Sequence, residues 1–71
     1  MNKYKPGTLL RYRELSGYFE IFIVLSYYTK NSQKFVSVYY FDSFSNSNSS
    51  RILHEDLSVF LSDEHEVLHE L

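Results

Sequence analysis

The sequence predicts a mainly β protein that forms one small domain, and three observations support this fold class. At 71 residues the chain can build one core and no second domain. Apolar residues make up 44% of the chain and aromatic residues 18%, which is too many for a disordered protein. Several stretches alternate with the period of a strand and are rich in Val, Ile, Tyr and Phe.

The first three strands follow directly from this alternation. Residues 8–13 form a strand after the Pro6-Gly7 turn. Residues 18–26 are the strongest strand, and their odd-numbered members are predicted to face the core because all of them are apolar. Residues 34–41 form the third strand after a polar turn. With the later elements, the pattern predicts a core of Leu10, Tyr12, Phe19, Ile21, Ile23, Leu25, Val36, Val38, Tyr40, Ile52, Leu57, Val59 and Leu61.

The second half of the chain is predicted to contain shorter elements. A loop rich in Ser and Asn at residues 42–50 surrounds Phe44. A short strand at 51–53, a helical turn at 54–57 and a last strand at 58–61 follow it.

The tail changes from strand to helix period. Ser62 is a suitable N-cap, and Val67, Leu68 and Leu71 form an apolar stripe, so residues 62–71 are predicted to be a short C-terminal helix. The predicted layout of the single domain 1–71 is an N-terminal arm at 1–6, a barrel at 7–61 and the helix at 62–71.

Charge is distributed unevenly along the chain. Residues 1–36 carry six Lys and Arg against two acidic residues, a net +4, whereas residues 37–71 carry one against seven, a net −6. Two interpretations remain open: the two halves attract each other within one domain, or a basic patch and an acidic face each meet a partner.

Several classes of chemistry are excluded by composition. The chain has no cysteine, which excludes disulfides, thiolate metal sites and cysteine nucleophiles. The longest apolar run, residues 21–25, is far shorter than the roughly 20 residues of a membrane helix, and the N-terminal residues do not resemble a signal peptide. We therefore expect a cytoplasmic protein with no cofactor and no membrane contact.

One formal motif match lies in the tail, where residues 65–69 read His-Glu-x-x-His. On a helix this spacing places two histidines on one face for zinc, with the glutamate as general base. A catalytic site also needs a third protein ligand and a cleft. Only two residues follow His69, so we expect two solvated histidines; weak metal binding by this pair and a zinc-dependent hydrolase remain the alternatives.

Tyrosine and phenylalanine are more numerous than one small core requires, at seven and six residues. Such rings cage cations, stack on bases or anchor protein partners when they are exposed. The simpler interpretation, an aromatic-rich β core, is favoured for Tyr12 and Tyr40. The candidate binding residues are Tyr27, Tyr28, Tyr39 and Phe44, together with the basic Arg11 and Arg13.

The order of elements resembles the SH3-like small β-barrels, including the Tudor-like and KOW-like types and short phage-encoded barrels. The segments that carry the resemblance are Lys-Pro-Gly-Thr-Leu-Leu-Arg-Tyr-Arg at 5–13, Phe-Ile-Val-Leu at 22–25, Val-Ser-Val-Tyr-Tyr-Phe at 36–41 and Leu-His-Glu-Asp-Leu-Ser-Val-Phe at 53–60. The resemblance implies a five-stranded barrel that binds a partner and has no catalytic activity.

Two functions therefore compete. The first is a viral or phage accessory protein that binds a protein, as a host-protein inhibitor or a virion component, or that associates with itself. The second is a nucleic-acid-binding barrel that uses the basic first half of the chain, against which the acidic second half and a pI near 5.8 argue.

Overall fold

A computed structural model describes residues 3–13, 17–43 and 50–70. Five antiparallel strands form one sheet in the order β4-β3-β2-β1-β5. The elements are β1 (Leu9–Arg13), β2 (Phe19–Lys30), β3 (Gln33–Asp42), β4 (Arg51–Asp56), α1 (Leu57–Ser62) and β5 (Glu66–His69). The mainly β class is confirmed. The sheet is open, with β4 and β5 at its two edges, so the closure of a barrel is not observed.

A long hairpin of β2 and β3 forms the centre of the sheet. Its two-residue turn consists of Asn31 and Ser32, whose φ angles are 52° and 64°. Positive φ at both positions is what a type I′ turn requires, and this turn matches the twist of the strands it joins. The turn pairs Lys30 with Gln33 and thereby sets the register of the whole hairpin.

A β-bulge interrupts the alternation of β2. Val24 pairs with Val38, but the next pair is Ser26 with Ser37, so Leu25 is the additional residue. Beyond the bulge, odd-numbered residues of β2 change sides, and Tyr27 pairs with Val36 on the same face as Val24.

The core lies on one face of the sheet, here called the inner face. It consists of Tyr4, Leu10, Phe22, Val24, Val36, Val38, Tyr40 and Phe60, with Tyr12, Tyr27, Leu53, Leu57 and Leu61 packed against it. Helix α1 and the N-terminal segment cover this face through the buried rings of Phe60 and Tyr4, which meet edge to face at 6.3 Å. The arm predicted at residues 1–6 is therefore anchored in the core by Tyr4.

The predicted core face of β2 is wrong. Phe22 and Val24 are buried in the core, whereas Leu25 is 40% exposed. Phe19 and Ile23 are half-buried on the opposite face, and Ile21, although buried, also lies there. Both faces of residues 19–25 are largely apolar, so alternation alone cannot tell which of them the helix covers.

Four other predicted core residues of the β1–β3 region are confirmed as buried, namely Leu10, Val36, Val38 and Tyr40. Tyr12, Leu57 and Leu61 pack against the core as partly buried residues. Ile52 and Val59 are not core residues, because 55% and 58% of their surfaces remain exposed.

The end of the chain differs most from the prediction. Residues predicted as the last strand belong to α1, whose N-cap is Asp56 and not Ser62; the Asp56 carboxylate accepts from the Ser58 and Val59 amides. The predicted tail helix is wrong, because Glu66–His69 forms β5 and pairs antiparallel with β1. Pairing satisfies the free edge of β1, which a marginal ten-residue helix would leave open. Within the described ranges, no helix has the length and apolar character needed to cross a membrane.

Candidate functional site

The face of the sheet opposite α1, here called the outer face, carries most of the predicted binding residues. Cross-strand partners share a face, so the pairing register defines its members. From β1 to β4 they are Leu9, Arg11, Arg13, Phe19, Ile21, Ile23, Ser26, Tyr28, Lys30, Gln33, Phe35, Ser37, Tyr39, Phe41, Ile52, His54 and Asp56. No helix or strand of the described ranges packs over this face.

The centre of the outer face is apolar and continuous across four strands. Tyr39 pairs with Ile23 on one side and with Ile52 on the other, and Ile21 pairs with Phe41. The Tyr39 and Phe41 rings lie 6.3 Å apart. Ile52 is 55% exposed and Phe41 37% exposed. The arrangement gives a contiguous apolar surface with aromatic rings at its middle.

A second aromatic group lies toward the β2–β3 turn on the same face. The Tyr28 ring stacks on the Phe35 ring with centroids 5.4 Å apart and an interplanar angle of 18°. The Tyr28 hydroxyl and the Nδ1 atom of His54 share a hydrogen bond of 2.9 Å. These contacts hold a partly exposed tyrosine in one orientation, which lowers the entropy it would lose on binding a partner.

The two predicted arginines lie at one corner of the outer face and have different environments. Arg11 forms an ion pair with Glu66, and its Nε donates to Glu66 Oε1 at 2.7 Å. Arg11 therefore links β1 to β5. Arg13 pairs with Phe19 across the β1–β2 ladder and its side chain is exposed.

The other two predicted binding residues have different outcomes. Tyr27 lies on the inner face, where its hydroxyl donates to the Tyr4 carbonyl oxygen at 2.5 Å. Burial raises the pKa of the Tyr27 hydroxyl, and this bond holds the N-terminal segment on the sheet. Phe44 lies outside the described residues.

Sequence reasoning missed a polar cluster at the end of the inner face. The Tyr40 hydroxyl is 2.8 Å from Glu20 Oε2 and 2.9 Å from Asp42 Oδ2, and the Tyr18 hydroxyl is 3.1 Å and 3.3 Å from the same two atoms. Burial raises the pKa of Tyr40, and the hydrogen bonds to Tyr18 and the carboxylates raise it further. The two phenols therefore stay protonated and donate to a carboxylate pair that would otherwise repel across the ladder.

Sequence reasoning also missed the environment of His65. Its ring stacks on Phe60 at 4.5 Å and lies 5.5 Å from Phe22, 5.9 Å from Tyr12 and 6.1 Å from Tyr4. Its Nδ1 atom is buried and makes no hydrogen bond with the described part of the chain. Burial lowers the pKa of His65, an effect that nearby Asp63 opposes.

The His-Glu-x-x-His match does not have the geometry of a zinc site. His65 is packed among aromatic rings, Glu66 pairs with Arg11, and His69 lies opposite Leu9 in the β1–β5 ladder. Four residues of extended chain span about 13 Å, so these two histidines are too far apart to bind one zinc ion as they would on a helix. In the described ranges, no three His, Cys, Asp or Glu side chains come together in a way that could hold a metal ion.

An open cleft of about 580 Å³ lies between β1 and the segment that joins α1 to β5. Its lining combines the cations Arg11 and Arg13 with the anions Asp63, Glu64 and Glu66. The cations lie on the β1 wall and the anions on the opposite wall, so the charges of the two walls largely offset each other.

Comparison with known proteins found no matching family model, no matching curated protein and no matching solved structure.

Proposed function

We propose that this protein is a small non-catalytic binding module that docks a protein partner on the outer face of its sheet. The observation that carries the proposal is the apolar surface around Tyr39, Phe41 and Ile52, which no element of the described ranges covers. Large exposed apolar patches on soluble domains mark interaction sites, because each exposed apolar group costs free energy until a partner covers it.

The make-up of the surface favours a protein partner over a small molecule. The outer face is broad, with rings at its centre and charged residues at its corners, as in the apolar core and polar rim of a protein interface. Aromatic side chains provide much of the binding energy at such interfaces, and Tyr28 and Tyr39 are already held by neighbouring rings.

The architectural part of the proposal is an SH3-like domain. Its support is the order of elements: five strands, with a short helix immediately before the last. The resemblance to short phage-encoded barrels supports a viral or phage accessory role, as a host-protein inhibitor or a virion component. A cytoplasmic location, the host cytoplasm for a phage protein, completes the proposal.

Site-specific photo-crosslinking tests the proposed face. A benzophenone amino acid is introduced at position 52 on the outer face, or at position 59 on α1, since these positions are 55% and 58% exposed. In a lysate of the source cells, position 52 is expected to give a defined protein adduct and position 59 none. Phe41→Asp in the position 52 variant should reduce the adduct strongly. Equal labelling from both positions, or an adduct that persists with Phe41→Asp, would contradict the proposal.

Nucleic-acid binding is a second candidate because a stacked pair of rings and basic side chains share the outer face. Tyr28 and Phe35 present a stack that a base could extend, and Arg13 and Lys30 lie on the same face. The pairing of Arg11 with Glu66 reduces the positive charge available for phosphate. A gel shift with single-stranded DNA and RNA at two salt concentrations tests this candidate, and Tyr28→Ala should abolish a genuine shift.

A further inference from the structure

We infer that the partner on the outer face is a second copy of this chain, packed face to face about a twofold axis. The inference rests on the proposed function, because it assigns an occupant to the same surface. Three features of the described residues support it: the character of the sheet edges, the size of the face and the symmetry of its pattern.

The two edges of the sheet are poorly suited to self-association. Strand β5 has only four residues, carries Glu66 and His69, and is bulged where its register with β1 shifts. Strand β4 carries Arg51, Glu55 and Asp56. Short length, charges and bulges are the features by which edge strands avoid pairing with another copy. Association through strands is therefore disfavoured, and the apolar outer face is the remaining surface of the sheet.

The outline of the molecule is large enough for a stable dimer interface. The molecule measures 36 × 23 × 23 Å, so its broad side has an outline of at most roughly 800 Å². Stable complexes bury about 800 Å² on each partner, and homodimer interfaces are more apolar than transient ones. A second copy has the same dimensions and can cover the face completely.

The outer face has a nearly twofold pattern about the Ile23–Tyr39 pair. Ile23 pairs with Leu9, and Tyr39 pairs with Ile52, so an aliphatic residue flanks the central pair on each side. Four residues beyond these, in opposite strand directions, lie Arg13 on β1 and Asp56 on β4. The centre of the face is apolar, and its two diagonal corners have opposite charges.

This pattern selects one orientation for the dimer. The twofold axis lies in the plane between the two outer faces, passes over the Ile23–Tyr39 pair and is perpendicular to the line from Arg13 to Asp56. Rotation about this axis places Arg13 of each copy over Asp56 of the other. Hydrogen bonds from Ser58 and Gln33 lower the pKa of Asp56 to about 2, so this carboxylate is ionised at neutral pH. Such rim charges contribute little affinity but fix the orientation of the two copies.

Sedimentation equilibrium from about 1 µM to about 1 mM tests the inference. The wild type should reach twice its monomer mass of 8.5 kDa. Ile52→Asp should raise the dimer Kd at least about tenfold, and the equally exposed control Val59→Asp by less than about twofold. Arg13→Glu should weaken the dimer at low salt, whereas Lys34→Glu on the inner face should not. Far-UV circular dichroism verifies that each variant is folded.

Two results would overturn the inference. One is a wild-type protein that is monomeric at every concentration, and the other is an Ile52→Asp dimer as stable as that of the wild type. If the wild type is monomeric but position 52 still crosslinks to a different protein, the second copy is excluded and the proposed function stands. If position 52 crosslinks to nothing, the proposed function fails as well.

Discussion

His65 is an ionisable residue whose ring packs among the aromatic side chains of the core. It stacks on Phe60 at 4.5 Å, and its buried Nδ1 has no hydrogen-bond acceptor among the described residues. Protonation would place a charge and an unpaired N–H donor among apolar rings, and burial lowers the pKa of His65 for this reason. A histidine in a small aromatic core is thus a built-in limit on stability in acid.

We predict that the free energy of unfolding falls as the pH drops below about 6.5, the ordinary pKa of histidine in the unfolded chain. In that range the unfolded state binds more protons than the folded state, so acid favours unfolding, while above it the contribution of His65 is complete. Urea titrations between about pH 8 and about pH 5, analysed by linear extrapolation, measure the effect.

The groups around His65 determine how this experiment is controlled. Asp63 raises the pKa of His65, Lys3 lowers it, and Glu20 raises it more weakly than Asp63 does. His65→Phe should flatten the pH profile, whereas His69→Gln, which removes an exposed histidine, should leave it unchanged. The prediction fails if the wild type and His65→Phe lose stability in parallel over this range.

At the scale of elements, β2 has two apolar faces, and only one of them packs in the core. Phe22 on the inner face is 6% exposed, and Phe41 on the outer face of the neighbouring strand is 37% exposed. We predict that Phe22→Ala costs about 3–5 kcal/mol, most of the stability of a domain this size, and that Phe41→Ala costs far less. Thermal unfolding of the two variants at one low protein concentration compares these losses.

The outcome of this comparison shows whether one face of the sheet or both faces are packed. Phe22 and Phe41 have identical side chains in adjacent strands, so any difference reports their environment and not their size. Equal losses of stability would mean that a second layer covers the outer face of the isolated chain, contrary to the packing seen here.

The same elements show what the sequence could predict. Strand periods and the polar turn at Asn31 and Ser32 predicted the mainly β class and the central hairpin, because these are local properties. The inner face of β2 could not be predicted, because it depends on where α1 docks. The strand in the C-terminal segment could not be predicted either. Strand β5 is stabilised by its pairing with β1, which lies more than fifty residues earlier in the chain.

The candidate site was predictable to a similar extent. Tyr28 and Tyr39 were identified by their excess over what a core needs, and both lie on the outer face. The bulge at Leu25 moves Tyr27 to the inner face, and no local signal marks that bulge. Ile52 is an aliphatic residue of the kind that usually lies in a core. Its exposure is evident only from its pairing with Tyr39 on the outer face.

Strand β5 is held on β1 by the ladder and by the Arg11–Glu66 pair. Both side chains are partly exposed, so solvent screens their attraction. A double-mutant cycle with Arg11→Met and Glu66→Gln is predicted to give a coupling energy of about 0.2–1 kcal/mol that decreases in high salt. Urea unfolding at two salt concentrations measures this energy.

The corresponding control uses a carboxylate that does not contact Arg11. Glu70→Gln combined with Arg11→Met should show no coupling, because Glu70 is exposed and lies outside the described ion pair. A coupling of similar size for both cycles would indicate a general charge effect and would remove the assigned role of Glu66.

Within residues 3–13, 17–43 and 50–70 the molecule consists of one sheet with a helix on one side, and no helix or strand forms a second layer on the outer face. Antiparallel sheets commonly leave one face to solvent, but that face is then polar, whereas the outer face here carries Ile23, Tyr39 and Phe41. Association of two outer faces would convert this open sheet into a layered structure, with the helices on the outside.

Dimerisation of this kind makes stability depend on protein concentration, because association draws folded monomers from the unfolding equilibrium. We predict that the Tm of the wild type rises measurably between about 5 µM and about 500 µM, whereas the Tm of Ile52→Asp stays constant. Val59→Asp places the same charge at an equally exposed position on α1 and should behave like the wild type. Calorimetry at the two concentrations gives the result directly, and a concentration-independent wild-type Tm would show that the outer face is not covered by a second copy.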